Sequence, residues 1–260
     1  MVASPWETVK TLFVLIRTPE FWKAVGYSFA KIALGFFLAL GAGVLCAVAA
    51  SAFGVVRALL NPMLRLIKAV PVASFIILAL FWLSSSKNLS VLISFLMVLP
   101  VIYTNVLQGI ESTDKELLEM ASVFRVSVGK RIRYIYIPAV MPYFVSACSV
   151  GLGFCFKSGI AAEIIGLPAN SNGERLYEAK LYLLTEELFA WTVVIVLVSV
   201  VFEKAVMLLV KALAKGLAGN KKEVAKAEEE QEVPQNMSAA TLPEEQGIPS
   251  GLVEDRKSVM

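Results

Sequence analysis

The sequence contains no histidine and carries little charge, and both features narrow what the chain can do. Of its 260 residues, 17% are Asp, Glu, Lys or Arg, whereas 57% are hydrophobic. Without histidine the chain lacks the base of a Ser-His-Asp or Cys-His nucleophilic site and the ligands of an HExxH metal site. The net charge of +3 is too small to indicate nucleic-acid binding. A soluble domain of this length carries more charge, so the composition indicates a polytopic membrane protein.

Cysteine is also scarce. Cys46, Cys148 and Cys155 lie in apolar runs and form no CxxC pair, so we interpret them as small hydrophobic residues of the core. The nearest approach to a phosphate-binding loop, residues 151–158, has Phe156 where a glycine is needed before the lysine. The sequence therefore predicts no catalytic residue, no metal site and no cofactor.

Long apolar runs predict an all-α transmembrane helix bundle. A helix needs about 20 apolar residues to cross the hydrocarbon core of a bilayer. We interpret the basic stretch 57–68 as a linker, and we expect a short helix near residues 174–184 within the polar loop 166–187. The five predicted spans cover approximately residues 22–53, 69–83, 89–110, 143–165 and 188–213.

The predicted membrane domain covers residues 21–215, between a short N-terminal segment and a polar tail. Residues 1–20 contain an apolar run that is too short to cross a membrane. Residues 216–260 are rich in Lys, Glu, Gln, Pro and Ser, which is typical of a disordered tail. Basic residues cluster in the 57–68 linker, in the 111–137 loop and beside the tail, so the positive-inside rule places these regions and the C-terminus in the cytoplasm. The N-terminal segment is then extracytoplasmic.

Small residues recur along one side of the first span. Gly35, Ala39, Gly43 and Ala47 are spaced so that they form a single stripe on a helix. In membranes such a stripe lets a second helix approach closely, because no bulky side chain separates the two backbones. We expect these four residues to form a helix-packing face.

The polar loop between the third and fourth spans predicts a short amphipathic helix. Thr113 followed by Glu116 is a capping box, which marks a helix start. Leu117, Ala121 and Phe124 then form one apolar stripe. A short amphipathic helix in a basic loop either lies on the lipid surface or docks onto a partner protein, and composition alone leaves both alternatives open.

Two ionisable residues lie within or near the end of the fourth span. Lys157 and Glu163 are separated by almost two helical turns, so a direct ion pair between them is awkward. Intramembrane charges are costly and mark functional positions. Either both residues sit at the outer interface, or Lys157 lines a translocation path and attracts an anionic substrate. We treat Lys157 and Glu163 as candidate path residues.

The same polar loop resembles the cytoplasmic coupling loop of ABC importer permeases of the binding-protein-dependent inner-membrane family. That family's pattern is Glu-Ala-Ala, three residues, Gly, nine residues and Ile-x-Leu-Pro. The wider sequence, over about residues 4–213, is similar to the nitrate, sulfonate and taurine branch of the family. The loop matches the pattern at Glu119, Ala121, Ile135 and Pro138, and it differs at Met120, Arg125 and Ile137, which replace Ala, Gly and Leu.

The resemblance implies a permease whose coupling helix seats on a cytoplasmic ABC ATPase. The other implied partners are an extracytoplasmic substrate-binding protein, a second permease copy and the lipid bilayer. The solute would be small and often anionic, in the nitrate, sulfonate and taurine class. Members usually have six spans, so we expect that the family's first helix is missing ahead of residue 21. The coupling residues implied by the resemblance are Leu117, Glu119, Met120, Ala121, Phe124, Arg125, Ile135 and Pro138.

Two other functions stay open on the sequence, a secondary transporter and an intramembrane enzyme. A secondary transporter predicts inverted repeats and more intramembrane carboxylates, whereas Glu163 is the sole acidic residue of the three middle spans. The missing histidine and the missing Asp/Glu pairs disfavour an enzyme. We therefore expect a transport subunit, with ATP hydrolysis in a partner.

Overall fold

Helices account for almost all of the chain that the structure describes. The computed structural model describes the backbone of residues 4–83 and 85–238, and the side chains as far as Ala212. Over these residues helices are joined by short turns, and the predicted all-α class is confirmed. The helices are α1 (Pro5–Ile16), α2 (Pro19–Ala52), α3 (Gly54–Ala69), α4 (Val72–Trp82), α5 (Leu89–Glu111), α6 (Lys115–Val123), α7 (Val128–Arg131), α8 (Ile137–Gly166), α9 (Asn172–Leu181) and α10 (Thr185–Ser238), with a 3₁₀ turn at Ser86–Asn88 and a π-helical turn at Ile132–Tyr136.

Four helical segments are long and apolar enough to cross a membrane, and a bent pair supplies a fifth. The four segments are α2, the run Ser86–Glu111, the run Val128–Gly166 and the apolar part of α10. The bent pair is α3 and α4, which meet at an angle of 107°. The predicted bundle of about five spans is therefore confirmed.

The second span differs from its prediction, because the basic stretch that we interpreted as a linker is the helix α3. The break between α3 and α4 lies at Val70 and Pro71 instead. Val70 is extended, with φ −82° and ψ 133°. Proline excludes the residue before it from the helical region, and it has no N–H to continue a helix. The polar residues that suggested a linker are thus the polar face of an amphipathic helix.

The fourth span begins earlier than predicted. Helical structure runs from α7 through the π-helical turn into α8, so that Pro138 and Pro142 lie inside the helical run and not ahead of it. The N–H of Ile137 bonds the carbonyl of Ile132, which is the wider spacing of a π-helix. Pro138 follows directly, in the first turn of α8, where a missing donor costs little.

The core forms where α2 and α5 pack side by side in the same direction. A Cβ atom at Gly35 would lie 2.7 Å from the Val91 carbonyl oxygen, and one at Gly43 would lie 2.8 Å from the Ile102 Cβ atom. Between and beyond these glycines, Ala39 and Ala47 are both 0% exposed. The small stripe thus lets the two helices approach closely.

α8 packs against the same pair of helices in the opposite direction. Gly151 lies beside Val98, and Gly159 lies beside Ser94 and Ile32, so rising numbers on α8 meet falling numbers on α5. α10 closes the bundle through Phe202, whose ring lies 5.1 Å from that of Phe29 and 5.3 Å from that of Phe156.

These directions divide the bundle into two ends. We call the end that carries α6 the α6 end, and the end that carries α9 the α9 end. The C-termini of α2 and α5 and the N-terminus of α8 lie at the α6 end. α1 is 12 residues long, lies against the first turn of α10 through a hydrogen bond from Thr11 to Glu186 at 3.3 Å, and is too short to cross a membrane.

The tail differs from its prediction as far as Ser238. α10 is helical through Ser238, where the sequence analysis expected a disordered tail from residue 216. Ala, Lys and Glu are strong helix formers, and extension of an existing helix needs no new nucleation. The remainder of the predicted tail, residues 239–260, lies outside the described residues.

Candidate functional site

The loop between α5 and α8 begins with a helix start one residue later than predicted. Asp114 is the N-cap of α6, and its carboxylate accepts a hydrogen bond from the backbone N–H of Glu116 at 2.9 Å. Thr113 is buried at the end of α5, where its hydroxyl lies 3.5 Å from the Gly109 carbonyl that it contacts as donor. The predicted capping box at Thr113 is therefore not formed, because the aspartate carboxylate takes the N-cap position.

The C-terminal end of α6 closes in a Schellman motif. The N–H of Val126 donates to the Ala121 carbonyl at 2.9 Å, and the N–H of Arg125 donates to the Ser122 carbonyl at 3.0 Å. Arg125 has φ 52°, in the left-handed region that favours glycine. This is the position at which the family pattern has its glycine, and arginine occupies it here with the same backbone conformation.

Arg131 holds the same helix end from the other side of the loop. Its Nη2 donates to the Ala121 carbonyl at 3.1 Å, and its Nε donates to the Val126 carbonyl at 3.0 Å. The last carbonyls of a helix have no partner within the helix, and a guanidinium bonds them well because of its charge and its several donors. The sequence analysis assigned no role to Arg131, because its partners lie five and ten residues away in a fold-dependent turn.

The surface of α6 is apolar, but its composition differs from the predicted stripe. Ala121 is only 4% exposed, so it packs within the loop and not on the surface with Leu117 and Phe124. Val123, which the sequence analysis left out, is 79% exposed. The exposed apolar residues are Leu117, Met120, Val123 and Phe124, and we call this set the α6 apolar face.

The remaining predicted coupling residues lie around this helix or between it and α8. Glu119 is exposed on α6. Ile135 is half-buried in the π-helical turn, and Pro138 lies in the first turn of α8. The loop thus continues into the fourth span as one helical run, with no flexible linker between Arg131 and Pro138.

The two candidate path residues lie on different faces of α8. Lys157 is exposed, whereas Glu163 is fully buried. Glu163 accepts hydrogen bonds from the Ser28 hydroxyl at 2.6 Å, the Ser90 hydroxyl at 3.2 Å and the Gly173 backbone N–H at 3.2 Å. These bonds join α8 to α2, α5 and α9 at the α9 end. Glu163 is therefore placed as a structural anchor and not at an outer interface or beside Lys157.

A polar cleft lies between α3 and α5 near the α6 end. It has a volume of about 390 Å³, and its walls include the charged side chains of Arg57, Arg65, Lys68 and Glu111. Arg57 forms an ion pair with Glu111. Within the described part of the chain, no three His, Cys, Asp or Glu side chains converge as a metal site.

The sequence matches known transport proteins. Residues 39–219 match the family model described as binding-protein-dependent transport system inner membrane component. The putative aliphatic sulfonates transport permease SsuC of Bacillus subtilis is 25% identical over 215 residues, covering 83% of this chain and 78% of that protein. The taurine transport system permease TauC of Escherichia coli is 22% identical, covering 70% and 66%. The bicarbonate transport system permease CmpB of Synechococcus elongatus is 22% identical, and the match spans 52% of its length.

Solved structures share the fold. A chain of an amino acid ABC transporter solved with histidines aligns with a TM-score of 0.61 at 15% identity, covering 83% of this chain and 99% of that chain. A chain of a bacterial ABC transporter involved in the import of the acidic polysaccharide alginate aligns with a TM-score of 0.59 at 15% identity, covering 82% and 84%. The family model covers more than half of the chain, so this protein belongs to the inner-membrane components of binding-protein-dependent transport systems, as a multi-pass permease subunit and not an enzyme.

Proposed function

We propose that this permease couples to a cytoplasmic ABC ATPase through the α6 apolar face and provides the path for a small anionic solute. The observation that carries the proposal is the exposure of Met120, Val123 and Phe124 on a short helix whose end is fixed to α8 by Arg131. A short amphipathic helix binds a partner by placing such residues in a groove. Glu119, on the exposed rim of α6, is suited to pair with a basic residue of that groove.

The proposed orientation places the α6 end in the cytoplasm. Arg57, Arg65 and Lys68 of α3 lie at this end, together with the basic residues of the α6–α8 loop. Basic residues are retained on the cytoplasmic side of bacterial membranes, and this bias sets topology. The C-terminal part of α10 then enters the cytoplasm, and α1 and α9 lie on the outer side.

The proposed transmission route runs from α6 into α8. Movement of the ATPase would displace α6, and Arg131 would carry the displacement to the π-helical turn and Pro138. α8 packs closely against α2 and α5, so a rotation of α8 alters the packing of all three helices. Packed cores switch between discrete arrangements rather than deforming continuously, which suits alternation between inward-open and outward-open states.

The proposed assembly contains two permease copies, two ATPases and an extracytoplasmic binding protein at the α9 end. A structural neighbour, the alginate transporter, was solved in complex with a periplasmic protein that carries an alginate pentasaccharide. The relatives named above transport sulfonates, taurine and bicarbonate. We therefore assign this chain a small solute of the nitrate, sulfonate and taurine class. The outward apolar side chains of the spans, such as Leu45 and Phe81, would contact lipid.

An affinity pull-down from native membranes tests the proposal. The tagged full chain is compared with Val123→Asp, which places a charge on the α6 apolar face. The control is Ser122→Asp, which introduces the same charge at the adjacent exposed position on another side of α6. We expect an ABC ATPase to copurify with the original chain and with Ser122→Asp, and to be lost with Val123→Asp. Equal ATPase recovery in all three samples would contradict the docking face, and no ATPase in any sample would favour α6 lying on the lipid surface.

A further inference from the structure

The polar cleft between α3 and α5 has a function that the coupling role of α6 does not use. Arg57, Asn61, Arg65 and Lys68 recur along one side of α3 and turn toward α5. The opposite side of α3 is apolar and exposed: Val55, Leu59, Met63 and Leu66 are between 61% and 82% exposed. A helix that directs its charges inward and its apolar residues outward is arranged for a lipid surroundings with a polar interior.

The cleft reaches into the bundle from the α6 end. Lys68 donates to the Thr104 hydroxyl at 3.3 Å. At a rise of about 1.5 Å per residue, Thr104 lies about 10 Å along the axis of α5 from Glu111. Tyr103 beside it is 1% exposed and donates to the Asn61 side-chain oxygen at 2.9 Å. The deep wall of the cleft is therefore ordered and rich in hydrogen-bonding groups.

The charge in the cleft is unbalanced. Three cations line it, and Glu111, the sole carboxylate among its lining residues, is already paired with Arg57. Arg65 and Lys68 therefore leave a net positive potential inside the cleft. Intramembrane cations face cavities or pathways and mark the passage of substrates and ions. A positive, partly enclosed cleft concentrates small anions.

We propose that this cleft is a binding site for a small oxyanion on its way to the cytoplasm, a sulfonate being the chemical class that fits best. The assignment rests on the proposed orientation of the bundle. Arg65 and Lys68 supply charge to the oxygens, and Asn61, Thr104 and Gln108 supply hydrogen-bonding partners. The anionic headgroup of a lipid has the same chemistry, but the side of α3 that faces away from the cleft is the apolar one. A free solute is therefore the occupant that we assign.

The test measures binding of radiolabelled ethanesulfonate to the purified full chain in phosphatidylcholine nanodiscs. We compare the original chain with Arg65→Gln/Lys68→Gln. The control, Arg17→Gln/Lys23→Gln, removes two exposed basic groups at the α9 end. We expect the cleft variant to bind about tenfold more weakly or worse, because charge-assisted contacts are lost, and the control to bind as the original does. A further variant, Lys68→Arg, keeps the charge and should retain most of the binding.

Three results would overturn the proposal. One is the absence of saturable binding by the original chain. Another is equal affinity in the cleft variant and the control. The third is displacement of the probe when phosphatidylglycerol is added to the nanodiscs, since a lipid headgroup would then be the occupant. Arg65 and Lys68 lie on α3, so failure of this test leaves the ATPase pull-down unaffected, and failure of the pull-down leaves the measured affinity unaffected.

Discussion

Arg131 donates a hydrogen bond from Nη2 to the carbonyl of Ala121 at 3.1 Å, and so ties the end of the exposed helix α6 to the segment that enters the span α8. A second bond, from Nε to the Val126 carbonyl at 3.0 Å, fixes the orientation of the guanidinium. Arg131 lies directly before the π-helical turn Ile132–Tyr136. A force applied to α6 therefore has a short, hydrogen-bonded route into the membrane domain.

We predict that Arg131→Ala loosens α6 without unfolding the bundle. Hydrogen bonds to charged groups contribute roughly 1.5–3 kcal/mol each, and partial exposure of Arg131 favours the lower end. A local loss of about 1.4 kcal/mol raises amide exchange in α6 roughly tenfold. Hydrogen-exchange mass spectrometry of the purified chain measures this directly.

The control for that change is Arg133→Ala, which removes an exposed arginine from the π-helical turn that follows. We expect exchange in α6 to be unchanged in this variant. If both variants accelerate exchange equally, the effect comes from lost basic charge in the loop, and Arg131 does not fix α6.

Arg125 gives a prediction of the opposite sign. With φ 52°, an L-residue at this position carries a cost of roughly 1–2 kcal/mol that glycine does not carry. Arg125→Gly should therefore slow amide exchange in α6. Arg125→Ala, which also removes the charge but keeps a Cβ atom, should not slow it. Equal effects of Gly and Ala would show that the side-chain charge matters and the backbone conformation does not.

The spans were predictable from the sequence, because apolar runs of the required length are a local signal. α3 was missed because its charged residues were considered only as topology signals, although Arg57, Asn61 and Arg65 recur at a helical period. The burial of Ala121 was not predictable, since it depends on Arg131 folding back onto the loop. The same holds for Glu163: its partners Ser28 and Ser90 are distant in sequence, and hydrophobic periodicity carries no information about such pairs.

The packing of α2 on α5 predicts different outcomes for two glycines of the same helix. A Cβ atom at Gly35 would lie 2.7 Å from the Val91 carbonyl oxygen, closer than real contacts allow, whereas a Cβ atom at Gly41 meets nothing within 4 Å. Gly35→Ala should lower stability by about 1–3 kcal/mol through overpacking. Gly41→Ala should raise it by roughly 0.5–1 kcal/mol, because alanine favours the helix. Thermal unfolding of both variants in the same detergent compares them, and a similar change in both would contradict close packing at Gly35.

The carboxylate of Glu163 holds the α9 end together, and Ser28 is the partner whose removal tests this. The Ser28 hydroxyl donates to Glu163 at 2.6 Å and accepts from the backbone N–H of Asn172 at 2.8 Å, so it connects α2, α8 and the start of α9. Ser28→Ala removes both bonds and leaves the Asn172 N–H buried without that acceptor. An unsatisfied buried donor costs about 1–3 kcal/mol, so the unfolding temperature should fall by a few degrees.

Ser51→Ala is the matched control, because Ser51 lies on the same helix, is exposed, and bonds only the Val48 carbonyl of its own preceding turn. Its unfolding temperature should stay near that of the original chain. Protease cleavage between α8 and α9 should also become faster in Ser28→Ala alone, since the loss is local to the α9 end. If the two serine variants unfold alike and are cleaved alike, then Glu163 does not depend on Ser28, and the buried cluster does not hold α9 in place.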